Sequence, residues 1–229
     1  MKIAQPTSVS TLSAKALRIH AALPQTQCQR CGYPDCAGYA HAIAHEAAPI
    51  NQCPPGGTEG LQRLAALTSQ PATALNPQFG VAQERTVAYI DEAWCIGCTL
   101  CIKACPVDAI IGSNKHMHTI IEADCTGCEL CIPACPVDCI ELEIATPGHT
   151  GWQAWSPEAA SQALERYELH SYRISKYLGH TAKKHLKALQ TKLSDLPNHS
   201  GITDPAVLDK KRSLVQAAMQ KARDKSTRQ

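Results

Sequence analysis

The chain has 229 residues, of which 44% are hydrophobic and only 4% aromatic, and its formal net charge is +2. This length predicts one or two domains, and no apolar stretch is long enough for a membrane-spanning helix. Thirteen cysteines would suit a secreted disulfide scaffold, but the first 27 residues lack the apolar region of a signal peptide. We therefore expect a soluble, cytoplasmic protein of a reducing compartment.

Four cysteines follow a short amphipathic helix predicted over residues 8–23. Their spacing is C-x2-C-x4-C-x16-C, from Cys28 through Cys31 and Cys36 to Cys53. An alanine-rich helix over 37–47 would carry the chain back towards Cys53. Four thiolates brought together in this way can hold one [4Fe–4S] cluster, and a structural zinc ion is the alternative.

A second helix is predicted over 57–69, and the stretch 70–84 has two prolines and no sustained period, which is typical of a linker. A cysteine pattern written twice, thirty residues apart, follows. Both copies read C-x2-C-x2-C-x3-C-P, the run that binds two [4Fe–4S] clusters in bacterial ferredoxins, where the fourth cysteine of each run ligates the other cluster. Zinc would instead favour separated CxxC pairs. The predicted ligand sets are therefore Cys95, Cys98, Cys101 and Cys135 for one cluster, and Cys125, Cys128, Cys131 and Cys105 for the other.

The strands around these runs predict an α+β fold with a pseudo-twofold βαββαβ arrangement. TVAYI (86–90) is expected to pair with AII (109–111), and HTIIE (118–122) with IELEI (140–144), so that each half forms a hairpin around its cluster loop. The predicted domains are a helical four-cysteine domain (1–69), a linker (70–84), a ferredoxin domain (85–146) and a helical C-terminal extension (147–229).

Several other side chains have metal-compatible chemistry without a predicted metal. Cys139 occupies the position of Ala109 in the first copy, so we expect it to pack and not to ligate. Two histidine pairs, His41 with His45 and His116 with His118, are expected to face solvent, because the clusters already have full thiolate sets. The aspartates at the two PVD sequences, Asp108 and Asp138, are expected to accept hydrogen bonds in local turns.

The four-cysteine segment resembles a known family. CxxCGYxxCxxYAxAI followed by CPPGG, ahead of a two-cluster ferredoxin, is similar to the B-type subunit of the Rnf/Rsx electron transport complex. The resemblance implies a third [4Fe–4S] cluster on Cys28, Cys31, Cys36 and Cys53, and electron relay as the activity. The anchor helix that usually opens members of this family is missing from the first residues, and the basic extension does not belong to the common core.

The C-terminal part is basic. Residues 1–156 carry eight Lys and Arg against thirteen Asp and Glu, whereas residues 157–229 carry fourteen against seven. Ser156 and Pro157 predict a helix start, Gly179 its end, and further helices are expected over 183–193 and from Pro205. Residues 147–156 are predicted as a linker. Such a tail could meet an anionic membrane surface or an acidic protein, or pack on the acidic front; nucleic acid ranks last, because no aromatics interleave the lysines.

Together these features predict an electron carrier with three [4Fe–4S] clusters and no substrate chemistry of its own. Its partners would be a redox protein as electron donor, another as acceptor, and other subunits of an electron transport complex. One alternative is a peripheral subunit at the cytoplasmic face of the inner membrane, within a complex that acts as a translocase or oxidoreductase. Another is a redox or iron sensor whose clusters are structural.

Overall fold

The computed structural model describes residues 9–227. The helices and strands within that range are α1 (Ala14–Ala21), α2 (Cys36–His45), α3 (Gly57–Thr68), β1 (Thr86–Ile90), α4 (Leu100–Ala104), β2 (Ile110–Ile111), β3 (Thr119–Ile120), β4 (Ile140–Ile144), α5 (Pro157–Ser194), α6 (Leu196–Ser200) and α7 (Pro205–Thr227). Small antiparallel sheets and helices make this an α+β protein, as predicted. The outer ends of the first and last predicted domains, residues 1–8 and 228–229, lie outside the described residues.

The N-terminal helices form one compact core. The predicted helix over 8–23 is a 3-10 turn (Val9–Thr11) followed by α1, because Ser13 interrupts the helix and caps α1 by accepting a hydrogen bond from the Ala16 N–H. Ile19 and Leu23 of this segment are buried against the apolar side chains of α2 and α3, whereas Leu17, which the helical period places on the apolar side, is 42% exposed.

The strand pairing differs from the prediction. β1 pairs with β4, joining Thr86 to Ile144 and Ile90 to Ile140, and β2 pairs with β3, joining Ile110 to Ile120. The predicted hairpins within each half are therefore wrong, since every pair takes one strand from each repeat. Hydrophobic alternation identifies which face of a strand is buried, but it does not identify the partner strand.

The two repeats also differ in their helical turns. The first repeat forms α4, in which the Lys103 N–H donates to the Thr99 carbonyl. At the matching position the second repeat has Pro133, which has no N–H to donate. Residues 130–134 consequently form turns in place of a helix.

The C-terminal helices are longer than predicted. Gly179 does not end a helix, because α5 continues through it to Ser194 with no left-handed residue at that position. A glycine inside a helix costs only about 1 kcal/mol relative to alanine, and the residues on both sides are good helix formers. The predicted start at Pro205 is where α7 begins, with the Asp204 carboxylate accepting from the Ala206 N–H.

The chain divides into two compact units between Ser171 and Tyr172, inside α5. Residues 147–156, predicted as a linker, pack within the first unit: Trp152 and Trp155 are buried there. The Trp155 indole N–H donates to the Pro24 carbonyl over 2.8 Å. The first unit therefore holds both cysteine-rich segments and the start of α5. None of the helices described between residues 9 and 227 is both long and apolar enough to cross a membrane.

Candidate metal centres

The first candidate centre, site A, is a cavity of about 300 Å³ lined by Cys28, Cys31, Cys36 and Cys53. These are the four cysteines that the sequence groups together. Two of them lie in the irregular loop after α1, Cys36 is the first residue of α2, and Cys53 precedes the turn into α3.

Buried side chains hold the loop of site A in place. The Asp35 carboxylate caps α2 by accepting from the Gly38 N–H over 2.6 Å. The Gln27 side-chain oxygen accepts from the Cys36 N–H over 3.0 Å, and its amide donates to Gln25. Both glutamines are almost fully buried, with 1% and 3% exposure. The Tyr39 hydroxyl donates to the Pro49 carbonyl over 2.7 Å, which fixes the return of the chain towards Cys53.

Sites B and C lie in the ferredoxin segment. Site B is a cavity of about 260 Å³, lined by Cys95, Cys98, Cys101 and Cys135. Site C is a cavity of about 320 Å³, lined by Cys125, Cys128, Cys131 and Cys105. In each case three cysteines come from one repeat and the fourth from the other, which is the exchange that the spacing predicts. The same exchange explains why the strands pair between repeats: Cys105 leads into β2, and β3 leads towards Cys125.

The chemistry of these donor sets suits a polynuclear iron core. Burial raises the pKa of Cys101 to about 11 and that of Cys131 to about 12, so neutral thiols are the stable form without a metal. Burial likewise raises the pKa of Cys31 to about 11. A cation must compensate the charge before these groups act as thiolate ligands. Among the described residues no three His, Cys, Asp or Glu side chains are placed to hold a single metal ion. A cubane makes a different demand, because its irons take separate thiolates around a shared volume.

Cys139 lies beside site B and not at a site of its own. It is buried, and its Sγ is 3.5 Å from the Cys135 Sγ. In the first repeat, the Ala109 N–H donates to the Cys105 Sγ over 3.2 Å. The side chain of Cys139 thus replaces the methyl group of Ala109 in the wall of site B.

One histidine prediction is wrong. His118 does not face solvent: its side chain is buried, with 1% exposure, and its Nδ1 is 3.3 Å from the Cys101 Sγ. His116 is exposed as expected, while His41 and His45 on α2 are partly buried and stack at 4.8 Å. The burial of His118 follows from strand alternation, because it leads into β3 on the side that faces the cavity.

Two contacts link the four-cysteine segment to the loop of site C. Arg30 forms a 2.6 Å ion pair with Glu129, and the Thr126 hydroxyl donates to the Thr26 carbonyl over 3.0 Å. Thr126 is buried and lies next to Cys125. Sites A and C are therefore neighbours within the first unit.

The beginning of α5 braces both cysteine-rich segments. The Tyr167 hydroxyl donates to Asp35 at site A over 3.0 Å, and Arg166 pairs with Asp124 beside site C at 2.6 Å. His170 lies 2.8 Å from Asp108, for which the sequence predicts only a local turn. The sequence carries no signal for these pairings, since each joins residues far apart in the chain. The cap at Asp35, in contrast, could have been predicted from its position just before α2.

Comparisons with known proteins agree with these centres. Residues 88–142 match a family model described as a 4Fe-4S dicluster domain, and residues 23–55 match one described as "Putative Fe-S cluster". No solved structure matches the chain.

Several related proteins are named as the B-type subunit of an ion-translocating oxidoreductase complex. The one from Azoarcus sp. is 60% identical over 126 residues, covering 55% of this chain and 69% of its own length. The one from Hahella chejuensis is 55% identical over 150 residues, covering 64% of this chain and 75% of its own. The one from Pseudomonas paraeruginosa is 54% identical over 156 residues, covering 66% and 80%. The chain therefore belongs to the family of B-type subunits of Rnf-type ion-translocating oxidoreductase complexes and is an iron–sulfur protein of electron transfer.

Proposed function

We propose that this protein relays single electrons through three [4Fe–4S] clusters held at sites A, B and C. The observation that carries the proposal is the grouping of twelve cysteines around three cavities, four to each. Clusters of this type supply one-electron redox chemistry at potentials that the surrounding protein sets. The part of the chain itself is to provide thiolates, burial and hydrogen-bond donors.

The order of the relay is A, C, B. The contacts Arg30–Glu129 and Thr126–Thr26 support the step between sites A and C. The step between C and B is supported by the crossed cysteines, because Cys105 and Cys135 each connect one repeat to the site of the other. Site B then lies at the far end of the chain of centres from site A.

The same proposal places the protein among other subunits. Its relatives are named as subunits of an ion-translocating complex, which supports other complex subunits as partners, with a redox protein as donor and another as acceptor. We place it peripherally, at the cytoplasmic face of the inner membrane. In this arrangement residues 1–69 carry site A, residues 70–84 connect, residues 85–146 carry sites B and C, and the extension from 147 begins with the segment that braces both.

Potentiometry of the anaerobically purified full chain tests the relay. A relay predicts reversible one-electron reduction of all three clusters and transfer to an added acceptor protein. Clusters that cannot be cycled without loss of iron would instead favour a structural role in a redox or iron sensor.

The contact between sites A and C provides a sharper version. Arg30→Glu should slow electron passage beyond site A without changing the iron content. The double variant Arg30→Glu with Glu129→Arg restores the opposite charges and should recover the rate. Equal rates in the wild type and both variants would contradict the proposed order.

A further inference from the structure

The walls of sites B and C are built from the same positions of the two repeats. Each residue lining site B has a counterpart lining site C thirty positions away. Seven of the ten counterpart pairs are identical. The three that differ are Ile96 with Thr126, Cys139 with Ala109, and His118 with Ala88.

The last of these differences places an imidazole against a cysteine sulfur. His118 Nδ1 lies 3.3 Å from the Cys101 Sγ, within the range for a hydrogen bond to sulfur. An iron-bound thiolate has no proton and can only accept, so the proton of this bond must lie on Nδ1. The His118 Nε2 is buried and has no hydrogen-bond partner among the described residues. A single proton on Nδ1 therefore satisfies the sulfur contact and leaves a bare acceptor at Nε2, not an unpaired donor.

The sheet makes room for this ring. The register of β2 with β3 brings Gly112 opposite His118, one step beyond the Ile111–Thr119 pair. A Cβ on Gly112 would lie 2.4 Å from the His118 Cδ2. At the corresponding rung of the other sheet, Ala88 pairs with Leu142. Each rung thus combines one large and one small side chain, but only the rung with His118 aims a donor at a cysteine.

We propose that His118 donates its Nδ1–H to the Cys101 thiolate and thereby holds site B at a higher reduction potential than site C. A hydrogen bond to a ligand sulfur withdraws negative charge, which stabilises the reduced state more than the oxidised state. Site C has only the methyl group of Ala88 at the matching position. The step from C to B is then downhill, moves one electron and leaves the His118 proton in place. This inference rests on the proposed function, because it requires clusters at both sites.

Redox titration followed by EPR on the full chain tests the inference. His118→Leu removes the donor and should lower the potential of site B while leaving site C unchanged. His118→Asn keeps an N–H close to the position of Nδ1 and should recover much of the wild-type potential. His116→Leu is the control, because His116 is an exposed histidine two positions away, and both potentials should stay as in the wild type.

A second measurement needs no substitution. In protein labelled with ¹⁵N-histidine, electron–nuclear double resonance should detect nitrogen coupled to the reduced cluster of site B and none coupled to that of site C. An intact cluster at site B with the same potential in His118→Leu as in the wild type would overturn the inference alone. Iron analysis showing no cluster on the Cys95 set would overturn both this inference and the proposed relay.

Discussion

The loop of site B depends on a glycine that no other residue can replace without moving backbone. Gly97 lies between Cys95 and Cys98 with a φ of +67°. A Cβ there would lie 2.6 Å from both the N and the O atoms of His116. The Gly97 carbonyl also accepts from the Lys115 N–H over 2.9 Å. Gly97→Ala must therefore displace the segment that leads to His118.

Two costs add in this variant. The left-handed conformation costs an alanine about 1–2 kcal/mol. Forcing a methyl group against packed backbone typically costs about 1–3 kcal/mol more. Since the net stability of a domain is only about 5–15 kcal/mol, we expect Gly97→Ala to lose the site B cluster selectively, lowering iron by about four per chain, and to lower the unfolding temperature.

Gly148 provides the matched control, because it has a φ of +76° but nothing within 4 Å of the added Cβ. Gly148→Ala should cost only the conformational part and should keep all its iron. Iron and sulfide analysis with EPR of the reduced protein measures the first effect, and thermal unfolding measures the second. If Gly97→Ala matched Gly148→Ala in iron content and in unfolding temperature, the packing described around site B would be incorrect.

Three further substitutions test other parts of the account. Cys135→Ser should change the EPR signal of the Cys95 set, and a change confined to the Cys125 set would refute the crossed assignment. Cys139→Ala should retain the iron of all clusters, because its counterpart in the other repeat is already alanine; loss of iron from site B would show that Cys139 ligates. Tyr167→Phe removes a buried hydrogen bond to a carboxylate and should cost about 1–3 kcal/mol, seen as a lower unfolding temperature with full iron content; an unchanged temperature would show that α5 does not brace site A.

The cysteine sets could be grouped from the sequence because their spacing is local and chemically specific. Three cysteines within seven residues must share one loop, and the proline after the fourth marks the exchange. The same comparison of repeats separates Cys139 from the ligand positions in the predicted sets. It would also have singled out His118, since Ala88 takes its place in the first copy, but the spacing of the histidines alone, without their strand positions, does not.

Other features could not be predicted, because they depend on contacts between distant parts of the chain. Strand alternation fits either pairing, and the exchange of β1 with β4 is decided by how the two repeats close around their centres. The prediction of a linker over 147–156 relied on its glycine and proline content, whereas burial of Trp152 and Trp155 against the first unit determines its structure. The helix end predicted at Gly179 failed because propensity at one residue is weak compared with the helix on both sides.

The central claim is that three polynuclear iron centres share one chain, and metal analysis tests it most directly. Anaerobically purified protein should contain about twelve iron and twelve acid-labile sulfide per chain, the sum of three cubanes. About eight of each together with one zinc would assign Cys28, Cys31, Cys36 and Cys53 to a structural zinc site and would contradict the relay through site A.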